Sequence, residues 1–161
     1  MDNGIDPRTR IGHVHLRVSD LQRAEDFYCD VLGFKVRQRY GADALFLSSS
    51  DYHHHIGLNT WESKGAPPAP RHSAGLYHFA ILYPDRRALA DALRRVLDHG
   101  VTIDGASDHG VSEAIYLHDP DGNGIELYWD RDPSEWPISA DGSVTMGAEP
   151  LDVDDLLAEA Q

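Results

Sequence analysis

Basic residues are scarce in this chain: 14 Lys and Arg stand against 27 Asp and Glu among 161 residues, for a formal net charge of −13. That balance argues against nucleic acid or an anionic membrane as a partner, since both need a cationic face. No Lys or Arg occurs between Val96 and Asp130, and none follows Arg131, while residues 132–161 carry eight Asp or Glu. Cysteine is almost missing. With Cys29 alone no internal disulfide can form, which fits a reducing cytoplasm, and its place in a helical pattern suits a packed small hydrophobe. Long apolar runs are missing as well. Nothing approaches the roughly 20 residues of a membrane span, and "MDNGIDPRTR" lacks a signal peptide's apolar segment.

What is present is an ordinary globular composition, 41% hydrophobic and 25% charged, enough for one core. We read residues 1–131 as a single domain and 132–161 as an acidic tail. Solvation is the preferred reading of the tail. "PLDVDDLLAEA" also has the spacing of a short helix docking through Leu151, Leu156 and Leu157.

Periodicity uncovers a repeat. "IGHVHLRV" alternates as a strand, and "SDLQRAEDFYCDVLGF" reads as a helix capped by Ser19 or Asp20 and ended by Gly33. The segments "FKVRQRY", "ALFLSS" and "HHIGLNTW" suit three strands. After the Gly- and Pro-rich stretch "ESKGAPPAPRHSAG" the order restarts. "LYHFAILY" is a strand, "PDRRALADALRRVLDHG" a helix, and "VTIDG", "VSEAIYLHD" and "GIELYW" are three more strands, with "DPDGNG" the last turn. Module one is about 10–61, the linker about 62–74 and module two about 75–131. The fold class is α+β, two tandem βαβββ modules sharing one interior.

Superposing the modules sets His13 on His78 and Gly57 on Glu126. If equivalent strands converge, three of the four positions offer His, His and Glu to one cavity, and the fourth has no side chain. Two imidazoles and one carboxylate leave coordination positions open on a divalent metal, as in non-haem Fe(II) oxygenases. A closed zinc site wants four ligands, commonly cysteines, which this chain cannot supply. A lone histidine at a strand start is more often a hydrogen-bonded core residue; agreement across the repeat favours ligation by His13, His78 and Glu126.

The segments "GHVHLRVSDLQRAEDFYCDVLGF", "LYHFAIL" and "DPDGNGIELY" resemble the vicinal oxygen chelate superfamily, which includes glyoxalase I, bleomycin- and fosfomycin-resistance proteins and extradiol dioxygenases. The resemblance covers about residues 10–130. It implies a cupped mixed sheet around one metal held by His13, His78 and Glu126. In the extradiol branch it further implies Fe(II), with Mn(II) suited to the same ligands, and a catechol-type diol and O2 as substrates. A homodimer or higher homo-oligomer is also implied. "HHIGL" matches the segment carrying that branch's acid–base histidine, with His54 in its place. Tyr116, ten residues before Glu126, matches its tyrosine, and His109 stands at the position of a further histidine, about two residues closer to the tyrosine than in the larger enzymes.

Other residues have plainer readings. His55 has the strand parity to face the same cavity and is the alternative to His54, His53 reads as polar surface, and His15 shares a face with His13. Asp119, Asp121, Gly122 and Gly124 build the turn that aims Glu126, while Trp61 and Trp129 pack at strand ends. Two other functions stay open. One is a metal-dependent isomerase, lyase or thiol transferase, against which Gly57 counts where a fourth protein ligand is needed. The other is a non-catalytic protein that binds an aromatic compound, which leaves the triad and Tyr116 without a task.

Overall fold

The structure, a computed structural model, describes residues 4–70 and 72–161. Module one runs β1 (Val14–Arg17), α1 (Leu21–Asp26), β2 (Lys35–Tyr40), β3 (Ala44–Ser48) and β4 (Ile56–Asn59). Module two runs β5 (Phe79–Tyr83), α2 (Arg86–Asp98), β6 (Gly105–Asp108), β7 (Ser112–His118) and β8 (Gly124–Asp130). The C-terminal segment adds β9 (Glu149–Pro150) and α3 (Val153–Leu157).

Both module helices begin where short acidic side chains can cap free N–H groups. Asp20 accepts from the Arg23 amide and Asp85 from the Ala88 amide. α1 continues into a π-helical turn, Phe27–Val31, that buries Phe27, Tyr28 and Val31 together. It ends at Gly33, whose φ of 84° is a conformation that other residues adopt only with strain. Cys29 packs beside this turn, and burial, then the neighbouring Glu25 and Asp30 carboxylates, push its thiol up to about 11. Cys29 should therefore resist iodoacetamide at pH 8 in the folded protein and react promptly once denatured, which a mass-spectrometric alkylation series would read.

One expected strand is displaced. "VTIDG" has β-branched residues, yet pairing with β7 begins at Gly105, opposite Tyr116. Val101 and Ile103 instead pack against the core, and only the Asp104 amide reaches across, to the Tyr116 carbonyl at 2.7 Å.

Instead of the single cupped sheet expected, the strands form two sheets. Their orders are β1-β4-β3-β2 and β5-β8-β7-β6-β9, with the first-named pair parallel in each. One face of each sheet is covered: Leu16, Val18, Leu45, Leu47 and Leu58 in the first, Ile115, Leu117, Ile125 and Leu127 in the second, all joined in one hydrophobic cluster. The modules are tied through their helical side. The buried Tyr28 hydroxyl donates to Asp119 at 2.9 Å, Ser19 and Arg23 donate to Asp121, and Arg95 donates to the Val31 and Leu32 carbonyls. These contacts hold the two covered faces to a common interior and leave the other face of each sheet turned outward.

The C-terminal segment is docked as well as acidic. Leu156 is fully buried, Leu151 and Leu157 pack against the core, and β9 extends the second sheet. Arg86 gathers Glu113, Asp155 and Glu159 around one guanidinium, tying α3 to the body. Among the described residues no helix is long and apolar enough to cross a membrane.

Candidate metal centre

The two parallel strand pairs have the same register. β1 sets His15 opposite Gly57, and β5 sets Ala80 opposite Glu126. His13 and His78 each stand two residues before that pairing, so His13 relates to Gly57 as His78 relates to Glu126.

In module two this offset brings His78 Nε2 to 3.0 Å from Glu126 Oε2. Adjacent donors on one ion, each bonded at about 2.1 Å, stand about 3 Å apart, so the pair has the spacing of two ligands on one metal. The other carboxylate oxygen is 3.1 Å from the Tyr116 hydroxyl, which lies 2.6 Å from His109 Nε2. His109 Nδ1 in turn meets the Gly147 carbonyl at 2.6 Å. A carbonyl only accepts, so Nδ1 carries a proton. The single hydroxyl hydrogen of Tyr116 then goes either to Glu126, with His109 protonated at both nitrogens, or to a bare Nε2 of His109. Burial, then the Glu126 carboxylate, push Tyr116 up to about 12, so it remains a hydroxyl at neutral pH.

In module one the His13 ring lies 4.4 Å from that of His54, and Phe46 lies 5.0 Å from His54 on the same outward face. Burial lowers His54 below the ordinary imidazole value, and the neighbouring His13, His53, His15 and His55 lower it further, all favouring the neutral ring. His53 meets His54 nitrogen to nitrogen at 2.7 Å. His55 is already engaged, since its Nδ1 accepts from Ser48 Oγ at 2.9 Å and from the Ser49 amide at 3.4 Å.

The space over Gly57 is not empty. A Cβ there would come within 2.9 Å of the His15 ring, so the glycine makes room for that imidazole. His15 also packs near Phe46 and the half-exposed Trp61, a setting its sequence position did not reveal. Trp129 stays at its strand end, its indole N–H donating to Glu113.

Within one chain these two clusters stay apart. Among the described residues no three His, Cys, Asp or Glu side chains stand where one ion would reach them all. The donor chemistry of His13, His78 and Glu126 fits a divalent transition metal, and one chain supplies two of the three positions at ligand spacing. A cleft of about 140 Å³ beside them is lined by module two alone, including Tyr77, His78, Tyr116, His118 and Gly124. The contribution of Gly147 had no sequence signal, because any residue supplies a carbonyl. What places it is the pairing of β9 with β6 and the Gly147 amide bonded to the His109 carbonyl at 3.0 Å.

Known proteins share this arrangement of strands and histidines. The profile of the Glyoxalase/Bleomycin resistance protein/Dioxygenase superfamily matches residues 10–127. Catechol-2,3-dioxygenase of Bacillus subtilis is 43% identical over 153 residues, covering 94% of this chain and 52% of that protein. Biphenyl-2,3-diol 1,2-dioxygenase 3 of Rhodococcus globerulus is 32% identical over 122 residues, covering 76% of this chain and 64% of that one. The chain thus spans between half and two thirds of the length of these curated relatives. The crystal structure of lactoylglutathione lyase from Agrobacterium tumefaciens, 21% identical, shares the fold with a TM-score of 0.60 over 77% of this chain and 96% of that one. With a match that runs from the first histidine strand through the strand of Glu126, the chain belongs to the glyoxalase/bleomycin resistance/dioxygenase superfamily, the vicinal oxygen chelate proteins.

Proposed function

We propose that this protein is an extradiol ring-cleaving dioxygenase that acts on a catechol-type aromatic diol with O2 at a non-haem Fe(II) centre, Mn(II) being suited to the same ligands. The observation that carries the reading is the hydrogen-bonded line from His78 through Glu126 and Tyr116 to His109 on one outward sheet face. The 43% identity with a catechol dioxygenase supports it.

His13, His78 and Glu126 would hold the ion. Once bound there, it would act as a Lewis acid that lowers the pKa of a coordinated hydroxyl. The remaining work falls to the protein. His54, kept neutral by its surroundings, accepts a proton from a diol hydroxyl and returns it later as general acid. Tyr116 keeps its hydrogen and offers it to a substrate oxygen as charge develops there, with His109 held in line by the Gly147 carbonyl. Phe46, His15 and Trp61 give the aromatic ring an apolar wall to pack against. The product is a ring-opened semialdehyde or related keto acid, cleaved beside the diol.

His54→Ala should retain metal yet lose turnover by about 10²–10⁴-fold, the usual worth of a general acid–base group. Unchanged turnover would remove His54 from this role. The reaction itself is tested by anaerobic reconstitution with Fe(II) and a panel of catechols, followed by O2 uptake and a yellow product. Absence of O2 consumption with every diol, together with isomerase or lyase activity of a Mn(II) or Ni(II) form, would assign the chain to another branch of the family.

A further inference from the structure

We propose that the metal centre is completed between two copies of this chain, with His13 and His54 from one copy facing His78, Glu126 and Tyr116 of the other. The inference rests on the His, His, Glu reading of the site and names the partner that reading needs.

Three observations carry it. The ligands are divided between two sheets that share no strand pairing, and no three-donor group forms among the described residues of one chain. Each half-site also lies on the face its sheet turns away from the chain's own interior. In β1, Leu16 is buried while His15 and Arg17 are exposed; around β5, Phe79 is buried while Ala80 and Leu82 are exposed. Both chain halves therefore spend their inward faces on one core, and their ligand-bearing faces remain to meet something else.

The second observation is apolar surface beside each half-site. Trp61 is 57% exposed next to His15, while Leu82 is 55% and Tyr77 89% exposed around His78. Large side chains of this kind, gathered at two ligand clusters, are what an interface buries. The third is charge. The first face offers His13, His15 and Arg17, the last held only loosely by Glu62 at 3.6 Å with both side chains exposed. The second offers Glu126 and Asp130, in a stretch from Val96 to Asp130 that has no Lys or Arg. A second copy presents the complement of each face at once. Two-fold pairing of module one on module two then closes two equivalent sites, whereas like faces would repel.

The test uses two full-length variants, His13→Ala and Glu126→Ala, each with a different affinity tag. They are co-expressed and purified through both tags, then loaded anaerobically with Fe(II), with metal content, oligomeric state and O2 uptake measured. If ligands are shared, one site of each heterodimer collects both defects and the other none. The heterodimer should then bind about half the iron of a wild-type dimer, although each variant alone binds almost none. Recovery of iron without ring cleavage would still establish the shared centre while refuting the dioxygenase assignment. A wild-type protein that loads iron as a monomer, or a folded heterodimer with no recovered iron, would overturn the shared centre and leave the ligand reading intact. Wild-type protein that binds no iron would overturn both. His13→Gln paired with His78→Ala repeats the experiment should either alanine variant fail to fold, with circular dichroism confirming the fold of every partner.

Discussion

Replacing Glu126 with alanine should remove metal and activity together and leave the fold standing. The carboxylate contacts His78 and Tyr116 on the outward face of β8, while the interior beneath it is made by Ile125 and Leu127. Its loss therefore opens no cavity in the core. It takes away the one anionic donor of the proposed set and frees two neutral groups that can turn to water. Losing a residue that merely supports a ligand costs about 10–100-fold in affinity or activity, so losing a ligand should cost more than about 100-fold in both. Glu126→Asp separates charge from reach: it keeps the anion but draws it back by one methylene, and a displacement of about 1 Å can cost on the order of 10²-fold. Metal analysis beside steady-state kinetics checks both variants. A Glu126→Ala protein with full metal content would contradict its assignment as ligand.

The second large effect falls on stability. Asp119 is 5% exposed and accepts four hydrogen bonds, from the Asp121 and Asn123 amides, the Asn123 side chain and the buried Tyr28 hydroxyl. It organises the turn between β7 and β8 and is one of the few groups that ties module two to module one. Asp119→Ala leaves several buried donors unpaired, and we expect a loss of about 3–5 kcal/mol, the range seen when one partner of a buried charged network is removed. Tyr28→Phe deletes a single bond to the same carboxylate and should cost about 1.5–3 kcal/mol. The double variant should fall short of the sum, because the two changes remove one shared interaction. Urea melts of the four proteins give these values, and a cost below about 1 kcal/mol for Asp119→Ala would show that the turn is held by something else.

The βαβββ repeat, the two capped helices and the pairing of His78 with Glu126 were all legible, because each depends on short-range rules. Alternating Val14, Leu16 and Val18 select one sheet face, Asp20 and Asp85 can cap, and Gly33 and Gly100 can take positive φ. Given a parallel pair of known register, a histidine two residues before Ala80 must lie near Glu126.

The relation between the modules was not legible. It depends on a handful of distant contacts, Tyr28 with Asp119, Ser19 and Arg23 with Asp121, and Arg95 with two backbone carbonyls. A duplicated pattern fixes what each module is, and equally well permits the ligand faces to close within a chain or between chains. Two features of the site were hidden for other reasons. The ring of His15 over Gly57 turns on side-chain direction, and the Gly147 carbonyl at His109 belongs to the backbone of a segment that composition marked only as acidic. Spacing alone left His109 in an awkward position; the structure places its Nε2 2.6 Å from the Tyr116 hydroxyl.

The most direct measurement is anomalous diffraction at the iron edge from crystals of the Fe(II)-loaded protein grown without oxygen. One strong peak should stand about 2.0–2.3 Å from an imidazole nitrogen of His13, an imidazole nitrogen of His78 and a carboxylate oxygen of Glu126, with open positions remaining for diol and O2. Iron bound elsewhere, or held at His78 and Glu126 with His13 still against His54 and no histidine in its place, would contradict the three-ligand centre.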